Sequence, residues 1–428
     1  MSAPLPSSIP VAVVGGGQAG LSLSAHLKAR GIDHLVFEKS TALHVWADRR
    51  WDSFSLVTPN WQCDLPGHPY DGPDPDGFMR KPEILAYLAA FREKVDPPLR
   101  EGVAVTRVAP HQKGGFLVET SAGTLQAGQV VAASGGYTVP VVPAYAADLP
   151  GSIAQIHSEE YRNAAQLPPG PVLVVGSGQS GAQIAEDLHL AGRAVHLAVG
   201  NAPRCARFYR GRDVVTWLAD MGYYDMPVEA HPLREGVRDN TNHYVTGRDG
   251  GRDIDLRRFA MEGMRLYGSL DGQEGGTLRF LPTLEAHLDE ADRVYNGINA
   301  SIDRFIAEKG IDAPPPSVYQ PVWTPEVEPL ALDLAAEGIA AIVWCIGFRP
   351  DFGWLRVPVF TEQGHPRHKR GVTDVDGVYF LGLPWLHTWG SGRFSSVGRD
   401  AGYLAERIET ALTAVPMPPR LAVAGGRG

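Results

Sequence analysis

A Gly-x-Gly-x-x-Gly turn set between an apolar strand and a helix occurs twice in this chain, and the repetition narrows the possible folds more than any other feature. In the first copy Val11 to Val14 read as a strand, Gly15, Gly17 and Gly20 as the turn, and Leu21, Leu23, Ala25 and Leu27 as apolar positions of a helix ending at Gly31. His34 to Phe37 then form a second strand closed by Glu38, at the distance where a carboxylate meets a ribose hydroxyl pair, with Lys39 beside it. Gly15 permits the tight turn, Gly17 lets the backbone approach a pyrophosphate, and Gly20 lets the helix lie close to the strand. Gln18 and Ala19 open that helix, whose unpaired N–H groups and dipole favour anions.

The second copy has a strand Val172 to Val175, the glycines Gly176, Gly178 and Gly181 with Gln179 and Ser180 between them, a helix through Leu190, and a strand Ala194 to Val199. One such turn is weakly specific, but two in order predict an α/β chain with two Rossmann-like dinucleotide-binding domains. The second strand ends at Gly200 and Asn201 rather than at an acid, and Arg204, Arg207, Arg210 and Arg212 follow closely. An acid there repels a 2′-phosphate and a guanidinium binds it, so NADPH is expected over NADH, with Arg204 as the candidate contact. The competing reading of these arginines is a solvated face.

A length of 428 residues exceeds what one core usually holds, and the formal net charge of −9 argues against a nucleic-acid partner. The N-terminal "MSAPLPSSIP" lacks the basic head and apolar core of a signal peptide, and no run is long enough to cross a bilayer, so a soluble, non-membrane protein is expected. Cys63, Cys205 and Cys345 are odd in number and far apart, which fits neither a disulfide framework nor a zinc site and suggests a cytoplasmic location. His231, His243, His365 and His368 are scattered among loops, and no metal is expected.

Between the two copies, the stretch after Glu38 reads as a long ordered loop. Its Trp46, Trp51, Asn60, Trp61 and Gln62 are expected to face a cofactor, since the loop leaves the ligand side of the sheet. The alternative is a surface loop pinned by its tryptophans. A helix from Pro82 to Lys94 follows, then strands Gly102 to Val108 (with Val105), Gly115 to Thr120 and Thr124 to Ala127, then "QVVAAS" leading to Gly135 and the exit prolines Pro140 and Pro143. The expected division is residues 1–145 for the first part of one domain, 146–345 for a second domain with an insertion around 213–330, and 346–428 for the return. Within the return, Ala340 to Phe348 is a strand carrying Gly347, "GVYFLG" another, "LPWLHTWGSGRFSS" a loop with His387 and Ser391, and Val397 to Leu412 a closing helix. The segment from Ala414 onward reads as a frayed tail.

The two glycine units, Glu38, the "RWDSFSLVTP" loop, "VVAASGGYTVP", "IVWCIGFRPDF" and "YFLGLPWLHTWGSGRF" together resemble the class B flavin-dependent monooxygenases, which include flavin-containing and YUCCA-type enzymes. The resemblance covers nearly the whole chain, and its wording is similar to bacterial flavoproteins whose genes often accompany a nitrilase. It implies FAD on Gly15, Gly17, Gly20 and Glu38, and NADPH on Gly176, Gly178 and Gly181, with the second domain inserted into the first. Trp46 matches the family's tryptophan, and Asn60 best matches its flavin-side asparagine. The family's linker signature is only half present: His157 and Tyr161 fit, while Gly151 and Ile153 occupy its first two positions.

The chemistry implied is reduction of FAD by NADPH, addition of molecular oxygen to the flavin, and attack on the hydroperoxide by a small, nitrogen-containing or otherwise nucleophilic substrate. Asn60 is the candidate near flavin or nicotinamide, and His387 the candidate on the substrate side, with packing between Trp385 and Trp389 as its alternative. Rival readings are an NADPH-dependent oxidase or reductase releasing hydrogen peroxide, and a non-catalytic redox-sensing flavoprotein. A dithiol reductase is set aside because no close cysteine pair exists. A homodimer is compatible with a flavoprotein of this size.

Overall fold

Val11, Ala12 and Val13 are wholly buried in the strand Ser8–Val14 (β1), as a central strand covered on both faces requires. The computed structural model describes residues 4–414; the tail expected from the sequence lies, beyond Ala414, outside the described residues. After the first glycine turn comes helix α1 (Gln18–Ala29), then β2 (His34–Glu38), which pairs parallel with β1 at Val14↔Phe37. Leu21, Leu23 and Leu27 of α1 are fully buried, each contributing about 2 kcal/mol of apolar transfer.

The stretch expected as a long loop is partly ordered by short elements. It contains a helical turn His44–Asp48, a 3-10 turn Asn60–Gln62 and a two-residue hairpin pairing Asp64–Leu65 with His68–Pro69. Helix α2 (Lys81–Val95) follows and buries Ile84, Leu88 and Phe91. Next come β3 (Leu99–Glu101), parallel to β2, then β4 (Val105–Pro110), β5 (Phe116–Thr120) and β6 (Gly123–Ala132). The sequence reading splits β6 into two strands, but it is one. Its first half pairs antiparallel with β5 and its second half parallel with β1. The apolar alternation breaks at Gly128 because a Cβ there would lie 2.9 Å from the Pro10 carbonyl oxygen.

The chain then builds a second, all-parallel sheet from β7 (Ala154–His157), β8 (Val172–Val175), β9 (Val195–Ala198), β10 (Arg265–Tyr267) and β11 (Ala341–Trp344), ordered β7-β11-β8-β9-β10. Helix α3 (Gln179–Leu190) follows its glycine turn as α1 follows the first. The segment read as an insertion supplies β10 to this sheet, a small antiparallel sheet at 270–280 and 331–333, and the long helix α4 (Leu284–Lys309). Finally β12 (Val378–Phe380) returns to the first sheet beside β6, and α5 (Val397–Ala414) packs on α1. Every strand of the second sheet therefore lies, in chain order, between β6 and β12 of the first. The two crossings meet, since Val139–Pro140 pairs antiparallel with Phe348–Arg349. No described helix is long and apolar enough to cross a membrane.

Candidate dinucleotide cleft

The two glycine turns are built alike. Gly15 has φ +118° and Gly176 φ +99°, and a Cβ at either would fall within 2.7 Å of a backbone carbonyl oxygen, that of Ala133 or of Cys345. The third glycines hold helix against turn: a Cβ on Gly20 would sit 2.0 Å from the Gly15 carbonyl oxygen, and one on Gly181 1.8 Å from that of Gly176. The middle glycines differ. A Cβ on Gly17 meets nothing within 4 Å, and one on Gly178 meets only the Thr241 methyl at 3.4 Å. Both α1 and α3 start without a capping side chain or a first-turn acid. Their first N–H groups are thus free for an anion.

Both turns open onto one cavity of about 2130 Å³. That exceeds the roughly 300–1,000 Å³ of a single small-ligand site and has room for two dinucleotides. Of the residues expected from the sequence, Gly15, Gly17, Gln18, Ala19, Glu38, Lys39, Trp46, Val105, Gly135, Gly176, Gly178, Gln179, Ser180 and Gly347 line it. Glu38 is tied to the first turn, its Oε2 accepting from Gly16 N–H at 2.8 Å and its Oε1 from Ser40 N–H at 2.9 Å. Each oxygen keeps a lone pair for a hydroxyl donor. Trp46 Nε1 donates to Gln18 Oε1 at 3.2 Å, and Gln18 Nε2 donates to the Gly392 carbonyl at 3.0 Å, joining the long loop, the turn and the C-terminal segment around the opening. The donor set fits FAD on the first turn and a nicotinamide dinucleotide on the second.

Several expected residues are elsewhere. Asn60 is buried away from the cavity wall: its Nδ2 donates to the Asp74 carbonyl at 2.9 Å and its Oδ1 accepts from Met79 N–H at 2.7 Å, bracing the loop. Gln62 is likewise buried off the wall, with Oε1 unpartnered. Ser391 Oγ accepts from the N–H groups of His387 and Thr388 and donates to Asp400 at 2.6 Å. His387 stays off the wall too, its carbonyl accepting from Val228 N–H at 2.7 Å and burial pushing its pKa down. Its ring Nδ1 is buried without a hydrogen-bond partner.

The arginine reading is corrected. Arg204 is 2% exposed, its guanidinium 2.7 Å from Asp292 and stacked over Tyr319 at 4.0 Å. Arg207 pairs with Asp213, Arg210 with Asp303 and Arg212 with Asp220, and none of the four lines the cavity. Their spacing reflects internal pairing, partly with acids far along the chain, which no local pattern reveals.

Other wall residues escaped the sequence reading. Arg50 lies over Trp46 at 5.2 Å and Phe54 at 5.4 Å, and burial pulls its pKa down to about 10. His243, beside Thr241 over the second turn, is held neutral by burial, its pKa pushed down to about 4. Tyr223, Tyr224, Trp385, Trp389 and Arg393 complete the wall where the insertion meets the C-terminal loop. A cluster of aromatics in "MGYYDMP" and "LPWLHTWG" was their only trace in the sequence.

The half-signature of the linker has a structural role. His157 Nε2 lies 3.1 Å from the Gly347 carbonyl oxygen, and its ring packs edge-on to Phe348. The Tyr161 hydroxyl donates to Asp187 at 2.6 Å. Asp187, on α3, also accepts from Ser53 at 2.5 Å and Arg248 at 2.7 Å, so the long loop, linker and insertion converge on one carboxylate.

A family profile described as Pyridine nucleotide-disulphide oxidoreductase matches residues 12–219. Disulphide chemistry needs a cysteine pair, whereas Cys63, Cys205 and Cys345 are free and burial pushes the Cys63 and Cys205 thiols up to about 12. The chain is similar to indole-3-pyruvate monooxygenase YUCCA1 of Oryza sativa, 27% identical over 368 residues that cover 82% of this chain and 86% of the relative. Among solved structures it is similar to a double-mutant flavin monooxygenase from Stenotrophomonas maltophilia, with TM-score 0.62 and 20% identity over 96% of this chain and 100% of that one. It is also 30% identical over 406 residues to an uncharacterized CzcO-like oxidoreductase of Geobacillus kaustophilus, covering 94% of this chain and 98% of the relative. With so much of both sequences aligned, the chain belongs to the CzcO-like oxidoreductases of the class B flavin-dependent monooxygenase family.

Proposed function

We propose that this protein is an NADPH-dependent flavin monooxygenase that places one oxygen atom of dioxygen on a nucleophilic nitrogen, sulfur or carbon atom of a small substrate. The observation that carries this reading is that two like-built turns, each with an open middle glycine and an uncapped helix, face a single cavity. Bound flavin supplies the redox chemistry, taking electrons from the nicotinamide and passing them to dioxygen. The polypeptide supplies position and dryness. Backbone N–H groups at Gly17 to Ala19 and at Gly178 to Ser180 would take the pyrophosphates, and Glu38 a ribose of the first nucleotide. Trp46, Trp385 and Trp389 line the cavity and would help to keep water from the bound ligands. Burial keeps His243 neutral at physiological pH, so it adds no charge beside the second turn.

An NADPH oxidase releasing hydrogen peroxide is the second reading, favoured by the finding that Asn60 and His387 do not reach the cavity wall. One experiment separates the two. The purified holoprotein is reduced anaerobically with NADPH, mixed with oxygenated buffer, and followed by visible absorbance. A transient species distinct from both reduced and oxidised flavin is expected. Direct return to oxidised flavin with one peroxide per NADPH, unaltered by amines, oximes or sulfides, would replace this reading with the oxidase one.

A further inference from the structure

Where the insertion of the second unit meets the C-terminal loop of the first, aromatic rings form a box on the cavity wall. Tyr224 lies 4.5 Å from Trp389, Tyr223 5.4 Å from Tyr224, and Tyr223 6.5 Å from Trp385, centroid to centroid. Arg393 lies against the Trp389 end of this box, the guanidinium carbon 3.8 Å from that ring's centroid. Its Nη2 donates to Asn242 Oδ1 at 3.0 Å and its Nη1 to the Trp389 carbonyl. Both acceptors are neutral.

Arg393 shares that lack of a carboxylate partner with Arg50, which also lines the cavity against aromatic rings, and both differ in this from the arginines of the core. The buried arginines Arg204, Arg207 and Arg257 each have a carboxylate within 2.8 Å, from Asp292, Asp213 and Asp292 respectively. Among the described residues Arg393 has none. The acids near this end of the cavity are committed or exposed: Glu235 holds Arg238, Asp225 holds Arg399, and Asp239 is exposed at the rim. A mostly buried cation without a counter-charge is costly, and the cost disappears when an anion arrives. Burial accordingly lowers the pKa of Arg393, against the opposing pull of Tyr137, Tyr224 and Tyr223. Phosphates are already provided for by backbone N–H groups at the two turns, whereas a guanidinium at one end of a row of four rings suits a flat apolar body with one anionic end.

We propose that Arg393 and its ring box are the substrate subsite, and that it takes a small carboxylate with a planar apolar body, the carboxylate seated on the guanidinium. The inference rests on the monooxygenase reading and adds a handle to it: the reacting atom is carried by a molecule anchored through its carboxylate.

The test compares phenylacetate with phenylacetamide, which differ in charge but hardly in shape, as ligands of the holoprotein, read by quenching of tryptophan fluorescence. The acid is expected to bind about tenfold or more tighter than the amide. Arg393→Gln should erase that advantage while leaving flavin content unchanged. Asn242→Asp should erase it too, by giving Arg393 a carboxylate of its own, and this change keeps both guanidinium and side-chain volume. Equal affinity of acid and amide for the unaltered protein, or no binding of either up to about 10 mM, would overturn the proposal. Loss of flavin in Arg393→Gln would overturn it as well, by giving the guanidinium to the cofactor. Reduction of the flavin by NADPH is measured on the same samples. If reduction proceeds without a preference for the acid, only the subsite fails; if the protein holds no flavin, the monooxygenase reading fails.

Discussion

A Cβ on Gly17 would meet no protein atom within 4 Å, so the polypeptide itself permits a side chain there. A bound pyrophosphate does not. Gly17→Val is therefore expected to fold with nearly unchanged thermal stability in the cofactor-free state, yet to purify with less than about a tenth of the normal flavin content. Full flavin retention would detach the first turn from the cofactor. Gly20→Val is the contrasting case, because its Cβ would press into the Gly15 carbonyl oxygen at 2.0 Å and disrupt the turn itself. Arg204 shows the opposite relation between position and role. It follows β9 where a 2′-phosphate contact is expected, but its charge is spent on Asp292, which Arg257 also holds, 2.8 Å away. Arg204→Met should lower stability by about 3 kcal/mol in denaturant unfolding, since it leaves a buried carboxylate short of a partner. It should not change the ratio of NADPH to NADH efficiency. A fall in that ratio at constant stability would reinstate the phosphate contact.

At the scale of elements, α3 is more than the carrier of the second turn. Its Asp187 gathers Ser53 from the long loop, Tyr161 from the linker and Arg248 from the insertion, and neighbouring contacts reinforce the junction: Arg49 pairs with Glu159 at 2.8 Å, and Arg207 donates to the Val57 carbonyl at 2.7 Å. Asp187→Asn removes the charge that holds Arg248 and weakens all three bonds. It is expected to cost about 2–4 kcal/mol of stability and to slow reduction of the flavin by NADPH, with flavin content preserved. Stopped-flow absorbance under anaerobic conditions measures the rate; an unchanged rate together with unchanged stability would show that the junction does not set the geometry. The elements themselves were largely legible in the sequence. Glycine spacing and apolar runs are local properties, and they mark α1, β2, β8 and α3 to within a residue or two and β1 by its buried half, Val11–Val14. β6 was split because Gly128 interrupts its pattern, and β10 was missed because three residues carry no period. The site was legible only where it is backbone. Gly15, Gly17, Gly176 and Gly178 line the cavity, while Gly20 and Gly181 lie behind them against the turn, and Asn60, His387 and Arg204 are expected there only from their position along the chain. Their side chains are turned by partners such as Asp74, Ser391 and Asp292, which only the tertiary fold brings near.

At the scale of the molecule, the two sheets are joined by two chain crossings and share one cavity, so a ligand on either turn also forms part of the wall for the other. Gln18 links the first turn to Gly392, next to Arg393, and Arg393 reaches Asn242, next to His243 over the second turn. A flavin that orders Trp46, Gln18 and the C-terminal loop thereby orders the segment covering the second nucleotide. The two binding events should then be coupled, and by reciprocity each should tighten the other. A ligand at about a hundred times its dissociation constant stabilises a protein by about 2.7 kcal/mol, which is readable as a thermal shift. NADP⁺ is expected to raise the unfolding temperature of the flavin-loaded protein clearly more than that of Gly17→Val, whose second turn is untouched. The midpoint of the NADP⁺ titration should also lie several-fold lower in the loaded form. If the shifts and midpoints were the same, the turns would act as independent sites that merely open on a common space. A larger effect in the flavin-free variant would mean that the first ligand hinders the second, and the cavity would then have to be read as one site used in turn rather than two filled together.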